Sequence, residues 1–453
     1  MDEPANLMVV TGVLVFEATI PFSRVRHIFE SQLLQFPRFR QRIVEPLLPV
    51  GTPTWEEDPR FDLDRHLSQV ELAPPADEAV LQTFVASLMC RPFEADRPPW
   101  HFYYVSHYQA GSALIGRIHH AIGDGLALIH VILSMSDQAP TRRPPPAPAA
   151  DDELEPWEAV ARKVRGLVDQ TLALPAAVLR EAGQWLANPM RALETTGQMA
   201  AGTGALTRLV VMPPDPVTRF KGGLTNRKRV VWSRPISVAD LKRVGRLTGS
   251  TINDVLMAGL SGALRRYLLE RGDAVPSTLD VRGVIPVNLR PIEEAYQLGN
   301  QFGLVFMALP LGLDEPLDRI FEVRRRMTAL KRSPEAFVAF QILRAIGAAP
   351  RQIFEFAVDL FSSKATAVVT NVVGPREPIS FAGVPMKQAM FWVPCAGRLG
   401  LGVSLLSYAG EVWLGVYTDA SIVPDPERIL EGFYQEVDEL LGLDSDRTAQ
   451  PPS

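Results

Sequence analysis

Apolar runs of strand length alternate along this chain with stretches in which apolar residues recur at helical spacing. Leu7 to Phe16 is a mostly apolar run that reads as a central strand. Ser23 then predicts a capped helix whose Val25, Ile28, Phe29, Leu33 and Phe36 share one face. Asp77 predicts a second cap, before Val80, Leu81, Phe84, Val85 and Leu88, with the helix ending at Pro92. Trp100 to Tyr108 and Ser112 to His119 read as a hairpin turned over Gln109–Gly111.

Beyond Lys228 the alternation resumes. Val230 to Trp232 is a short strand, followed by a helix capped by Ser237. A long helix ending at Gly272 sets Leu256, Leu260, Leu264 and Tyr267 on one face. Strands follow at Val284–Val287 and Phe302–Leu311, then three helices near 316–331, 335–348 and 350–363. ATAVVTNV, GLGVSLLSY and EVWLGVYTD are further strands, the last two a hairpin, and a helix from Pro426 to Leu441 closes the pattern. Strands interleaved with amphipathic helices predict an α/β fold.

Composition breaks this pattern in the middle. The stretch 139–150, APTRRPPPAPAA, is proline-rich and predicts an extended spacer, and the pattern from Glu153 to about Met212 is helical. The expected organisation is an N-terminal lobe at 1–138, a connection at 139–227, a C-terminal lobe at 228–445 and a disordered tail at 446–453. At 453 residues, 47% hydrophobic and 21% charged, the chain has ample material for such cores. A net charge of −5 with no basic block argues against nucleic acid. Cys90 and Cys395 are the only cysteines, which excludes a disulfide framework. No apolar run reaches the ~18 residues of a membrane span, and the N-terminus lacks a signal-peptide layout. The expected location is cytoplasmic, with contact to the inner face of a membrane or to lipid droplets only from outside. A core-like strand within a few residues of Met1 predicts that this methionine is internal to a longer product, or that the chain is truncated.

Candidate chemistry concentrates at Gly116–Ile129, GRIHHAIGDGLALI, a strand ending in two histidines, a Gly-Asp-Gly turn and an apolar helix. A neutral histidine suits proton abstraction from a hydroxyl or amine near neutral pH. Successive residues leaving a strand point opposite ways, so one ring faces a cleft and the other holds the loop. Asp124 is placed to bond loop amides or to pair with an arginine of the other lobe, with Arg290 as candidate. A purely structural histidine pair with Asp124 as helix cap, or a metal site, are the competing readings; the glycine turn and the lack of a third ligand cluster disfavour a metal.

Further motifs extend the pattern: PPW at 98–100, Asn253-Asp254 in TINDVLMAG, IPVNLR at 285–290, LGN at 298–300 and TNVVGP at 370–375. In this order, with His-His-x-x-x-Asp-Gly, the chain resembles the bacterial wax ester synthase/diacylglycerol acyltransferase family of the CoA-dependent acyltransferase superfamily. The resemblance implies two chloramphenicol acetyltransferase-like lobes of mixed sheet and helix with a tunnel between them. It implies acyl-CoA as substrate, no other cofactor and no metal, and diacylglycerol or a long-chain alcohol as acceptor. His120 would be the general base of a direct transfer, with His119 and Asp124 as structural support. Asn253 would serve the oxyanion or positioning, and Gly125, Asp254, Arg290 and Asn371 would bind substrate. The chain departs from the family pattern with Pro99 inside PPW, Asn288 in place of a small hydroxyl residue and Val373 in place of proline. Family members also usually carry about a dozen residues before the segment that begins here at Ala5. A different acceptor, or a lipid-binding protein with a vestigial turn, are the rival functions.

The low-charge helical segments at 193–212 and 336–362 carry Met199, Leu206, Phe337, Phe340, Ile342 and Phe354. Packing against the body is one reading, and peripheral association with a lipid surface is the other. The lipid reading predicts flotation with anionic liposomes at low salt. A protein wholly in the soluble fraction would contradict it.

Overall fold

The computed structural model describes residues 2–46, 53–138, 212–289, 298–331, 339 and 351–448. The N-terminal part runs β1 (Val9–Phe16), α1 (Phe22–Ser31), β2 (Gln41–Val44), β3 (Thr54–Glu57), β4 (Leu67–Val70), α2 (Glu78–Met89), β5 (Trp100–Tyr108), β6 (Gly111–His119) and α3 (Gly125–Ser134). After the connection come β7 (Lys228–Trp232), β8 (Ile236–Ser237), α4 (Val238–Thr248), α5 (Ile252–Glu270), β9 (Asp280–Asn288), β10 (Phe302–Pro310) and α6 (Pro316–Lys331). The chain then continues through α7 (Arg351–Ser363), β11 (Ala367–Val373), β12 (Ser380–Phe381), β13 (Val384–Trp392), β14 (Leu401–Tyr408), β15 (Glu411–Asp419) and α8 (Glu427–Thr448).

Two large sheets organise these elements. The first has the order β12-β13-β1-β6-β5-β4, and the second β10-β9-β11-β14-β15-β7 with β8 on β15. β1 is central, antiparallel to both β6 and β13, and seven of its eight residues are buried. That double burial is why the run reads as continuously apolar rather than alternating. β6 is buried from Gly111 to Ile118, so the strand delivering the two histidines is anchored on both faces.

The strands do not respect a division of the chain near residues 138 and 228. β12 and β13 come from the C-terminal half but complete the N-terminal sheet, Thr11 standing opposite Trp392 and Val13 opposite Met390. Apolar side chains from the facing sides of both sheets therefore merge into one core, which joins Val13, Phe102 and Ile115 to Phe306, Trp392 and Tyr408. A second core fills the space between the seven-stranded sheet and α4, α5, α6 and α8. Within it, Leu256, Leu260, Leu264 and Tyr267 are all buried, as their shared face predicts. So are Ile252 to Ala263 without a break, because α5 lies among three other helices rather than on the surface.

Three local expectations change. α1 begins at Phe22 with Pro21 at its N-cap, so Ser23 lies inside the first turn and caps nothing. The helix also stops at Ser31, and two 3-10 turns carry Leu33 and Phe39 into the core. Pro37 cannot continue a helix, and Phe36 reaches Phe39 and His130 from between those turns. α8 runs to Thr448, into the stretch expected to be tail, on a buried face that includes Phe433, Val437 and Leu440. By contrast, Asp77 and Ser237 cap their helices as expected, accepting from Val80 N and Asp240 N. The proline-rich spacer, the helical segment to 211 and the helix expected at 335–348 lie outside the described residues, apart from helical, buried Ala339. Among the described residues no helix is long and apolar enough to cross a membrane.

The second sheet opens where β9 and β11 part. These parallel strands share register only at Gly283–Ala367 and Val284–Val368, after which β9 follows β10 and β11 follows β14. Crevices at the carboxyl ends of diverging parallel strands are the usual ligand sites of such sheets. Packing is tight within the first sheet. A Cβ on Gly116 would lie 2.5 Å from Cε1 of Phe102, itself buried on the neighbouring strand. Gly116→Ala should cost about 1–3 kcal/mol of stability through overpacking. Urea denaturation would show it, and an unchanged midpoint would contradict this packing.

Candidate active site

The His-His turn sits where the two sheets meet. β6 ends at His119, Asp124 caps α3, and the intervening residues form the turn. The residue at 119 is tied to neighbouring backbone, His119 N donating to Pro99 O at 2.9 Å. This accounts for PPW: Trp100 is buried, donates Nε1–H to Phe39 O at 2.8 Å and stacks on His66, so the segment under the turn is fixed.

The two histidine rings have different surroundings. His119 Nδ1 accepts from Ala121 N at 3.1 Å, and its Nε2 faces Asp2 Oδ1 at 3.3 Å. An accepting Nδ1 leaves the proton on Nε2, directed at the carboxylate. Burial would raise the Asp2 carboxyl, but hydrogen bonds with His119 and from Met8 N outweigh it and hold Asp2 below its ordinary pKa. His119 is thus the ring that holds the loop, as the alternation along β6 requires. The His120 ring instead lies 5.4 Å from that of Phe302, the first residue of β10. It is half-buried, and loss of hydration lowers its pKa; contacts with its own carbonyl, Asp124 and Asn300 oppose that effect without cancelling it. The net shift favours the neutral ring.

The second lobe reaches this turn through residues 298–302. Gly123 and Gly299 form a parallel bridge, in which Asp124 N donates to Gly299 O and Gly299 N to Ile122 O, each at 3.1 Å. Gly299 has φ +122°, a conformation open to glycine but strained for other residues. Asp124 Oδ1 accepts from Ala127 N at 3.1 Å and Oδ2 from Gln301 N at 3.0 Å. One carboxylate thereby caps α3 and ties the two lobes. The expected brace across the lobes exists through Gln301, while Arg290 lies outside the described residues. Asn300 completes the contact, its Nδ2 donating to His120 O at 2.9 Å. An added Cβ on Gly125, at the start of α3, would meet open space within 4 Å.

Asn253, Asp254 and Asn371 form a second cluster, at the N-terminus of α5 and near the carboxyl end of β11. Asp254 builds a capping box with Thr251: its Oδ2 accepts from Thr251 N and Oγ1, and Thr251 Oγ1 accepts from Asp254 N. This is helix architecture carried by Oδ2. Asn253 is fully buried; its Oδ1 accepts from Asn371 Nδ2 at 2.8 Å and, among the described residues, its Nδ2 faces Met327 Sδ at 4.0 Å. Asn253 thereby holds the Asn371 side chain. Asn371 is half-buried, on the strand that borders the opening in the sheet.

Sequence reasoning named His119, His120, Asp124 and Gly125, and the structure gathers them in one turn. It did not name Asp2, Asn300, Gln301 or Phe302 as site residues. The Leu-Gly-Asn before an apolar strand was the available signal for three of these, but nothing local shows that this loop docks on the other lobe. With two acceptor bonds on Asp124, Asp124→Ala should cost about 2–3 kcal/mol through the lost cap and an unsatisfied Gln301 N–H. Asp124→Asn should keep part of this stability. An Asp124→Ala protein melting like wild type would show that the carboxylate carries no structural load.

Known proteins bear on this geometry. The model of the wax ester synthase/diacylglycerol acyltransferase catalytic domain matches residues 1–256, and that of the family's C-terminal domain matches 298–441. A probable diacylglycerol O-acyltransferase of Mycobacterium tuberculosis is 27% identical over 415 residues, 90% of this chain and 86% of that protein. A putative diacylglycerol O-acyltransferase of the same species is 28% identical over 451 residues, covering 97% and 89%. The wax ester synthase/diacylglycerol acyltransferase of Marinobacter aquaeolei VT8 superposes with a TM-score of 0.69 at 20% identity, covering 98% of this chain and 97% of that one. The first condensation domain of the calcium-dependent antibiotic synthetase shares the fold with a TM-score of 0.58 at 14% identity, covering 99% and 93%. The turn, the two chloramphenicol acetyltransferase-like lobes and the family models agree: this chain belongs to the wax ester synthase/diacylglycerol acyltransferase family and is an acyltransferase of that type.

Proposed function

We propose that the protein transfers the acyl group of a long-chain acyl-CoA directly to the hydroxyl of diacylglycerol or of a long-chain alcohol, with His120 as general base. The observation that carries this reading is the environment of His120. Its ring is shifted towards the neutral form, half-buried against Phe302 and held at the junction of the two lobes. The acceptor O–H gives its proton to the ring as oxygen attacks the thioester carbonyl. The tetrahedral oxyanion then expels the CoA sulfur, the C–S bond breaks, and the imidazolium returns the proton to the thiolate. His119 is committed to Ala121 N and Asp2, so it does not compete as base.

The acceptor follows from the names of the relatives and from the family. Acyl-CoA and the acceptor are both amphiphiles, which favours peripheral contact with a membrane or droplet surface. No cofactor or metal is needed for the reaction as drawn, since the thioester already carries an activated acyl group.

His120→Ala should lower turnover of palmitoyl-CoA with dioleoylglycerol or hexadecanol by about 10²–10⁴, while binding and melting stay near wild type. Burial lowers the ring's pKa, so kcat/KM should hold through neutral pH and fall only below about pH 6.5, where the ring gains a proton. Turnover of His120→Ala at the wild-type rate would overturn the mechanism. Activity only with an unrelated acceptor would overturn the substrate assignment alone.

A further inference from the structure

We propose that Asn300, contributed by the second lobe, is a positioning residue for His120: its amide clamps the His120 carbonyl and so fixes the ring in the orientation from which it takes the proton. The inference rests on the reading of His120 as general base.

The backbone of residue 120 is held from both sides. His120 N donates to Met8 O at 2.7 Å, ahead of β1, and His120 O accepts from Asn300 Nδ2 at 2.9 Å. With both ends of the residue bonded, the direction of its Cα–Cβ bond is set, and Phe302 supplies the surface on which the ring rests. The Met8 contact comes from the same sheet as the turn, whereas the Asn300 contact crosses the lobes. Asn300 is an exposed residue on an irregular segment, where an asparagine side chain ordinarily faces water. Its neighbours show why it bonds the turn instead of ranging freely in solvent. Gly299, at a φ that only glycine reaches easily, is bonded to Ile122 and Asp124, and Gln301 N is bonded to Asp124, so the segment is bound to the turn on either side of Asn300. The Asn300 side chain also acts on the ring's titration, raising its pKa against the effect of burial and so favouring the protonated ring.

This arrangement makes the base dependent on lobe docking. Without the second lobe the His120 carbonyl loses its partner and the ring loses Phe302. A shift of about 1 Å in a reacting group costs on the order of a hundredfold in rate. Among the described residues, the charged and titratable groups around the ring are Asp124 and His119 of the same turn, with Asp2 behind His119 on the N-terminal segment. Phe302 adds no charge. A change at residue 300 is therefore read in the titration of His120 against a fixed background.

The test compares Asn300→Ala, Asn300→Asp and His120→Ala, using palmitoyl-CoA with dioleoylglycerol or hexadecanol across a pH series. Asn300→Ala should lose about 10–100-fold in kcat with KM for acyl-CoA changed by about twofold or less. Its acid limb should move to lower pH, because an interaction favouring the imidazolium is gone. Asn300→Asp should move the limb the other way, since a carboxylate beside the ring favours the proton. Opposite shifts in the two variants are a signature that a merely structural residue would not give. Normal rates and an unmoved limb in both Asn300 variants, with His120→Ala inactive, would overturn the inference and leave the mechanism standing. A lower rate accompanied by lower melting but an unmoved limb would overturn it too. An active His120→Ala would overturn both.

Discussion

The structure depends on the contact between the Gly-Asp-Gly turn and residues 299–301. Two backbone hydrogen bonds of 3.1 Å join Ile122 and Asp124 to Gly299, and the Asp124 carboxylate adds a third bond at 3.0 Å to Gln301 N. Each satisfies backbone that would otherwise face an interlobe space, where an unpaired buried donor or acceptor costs about 1–3 kcal/mol. The contact also sets the chemistry. It brings Phe302 against the His120 ring and Asn300 against its carbonyl. Asp124 is the pivot because one side chain serves two ends: it starts α3 and closes the seam.

A second constraint supports the first. β13, from the C-terminal half, lies beside β1, so the N-terminal sheet is incomplete without sequence from nearly 400 residues along. The N-terminal segment adds further ties: Asn6 Nδ2 donates to Gly397 O and Leu399 O, and Asp2 meets His119. The lobes are thus interleaved rather than merely apposed. A site at their boundary can be rigid while the sheet beside it opens between β9 and β11.

What the sequence shows and hides follows from the range of each interaction. Elements whose cause is local are legible: the apolar run of β1, the caps at Asp77 and Ser237, the hairpin of β5 and β6, and the span 316–331 of α6. The His-His turn is legible because residue type, spacing and glycines coincide within a few positions. β13 escaped notice because its burial alternates irregularly along Val384–Trp392, and only its pairing with β1 makes it a sheet strand. The local roles of Asn253 and Asp254 were hidden for a related reason. A polar pair opening a helix can face a ligand or serve the fold; the choice rests on Thr251, Met327 and Asn371, the last two far along the chain. Asn300 was visible as part of a motif, but its role is visible only once the lobes are docked.

The central claim is that His120 removes a proton within a complex holding both substrates, rather than being acylated itself. Initial-velocity kinetics with palmitoyl-CoA varied against dioleoylglycerol or hexadecanol tests it most directly. The account predicts intersecting double-reciprocal lines and no release of CoA until an acceptor is present. Parallel lines, with a burst of CoA released from enzyme and palmitoyl-CoA alone, would mark an acyl-enzyme and contradict it.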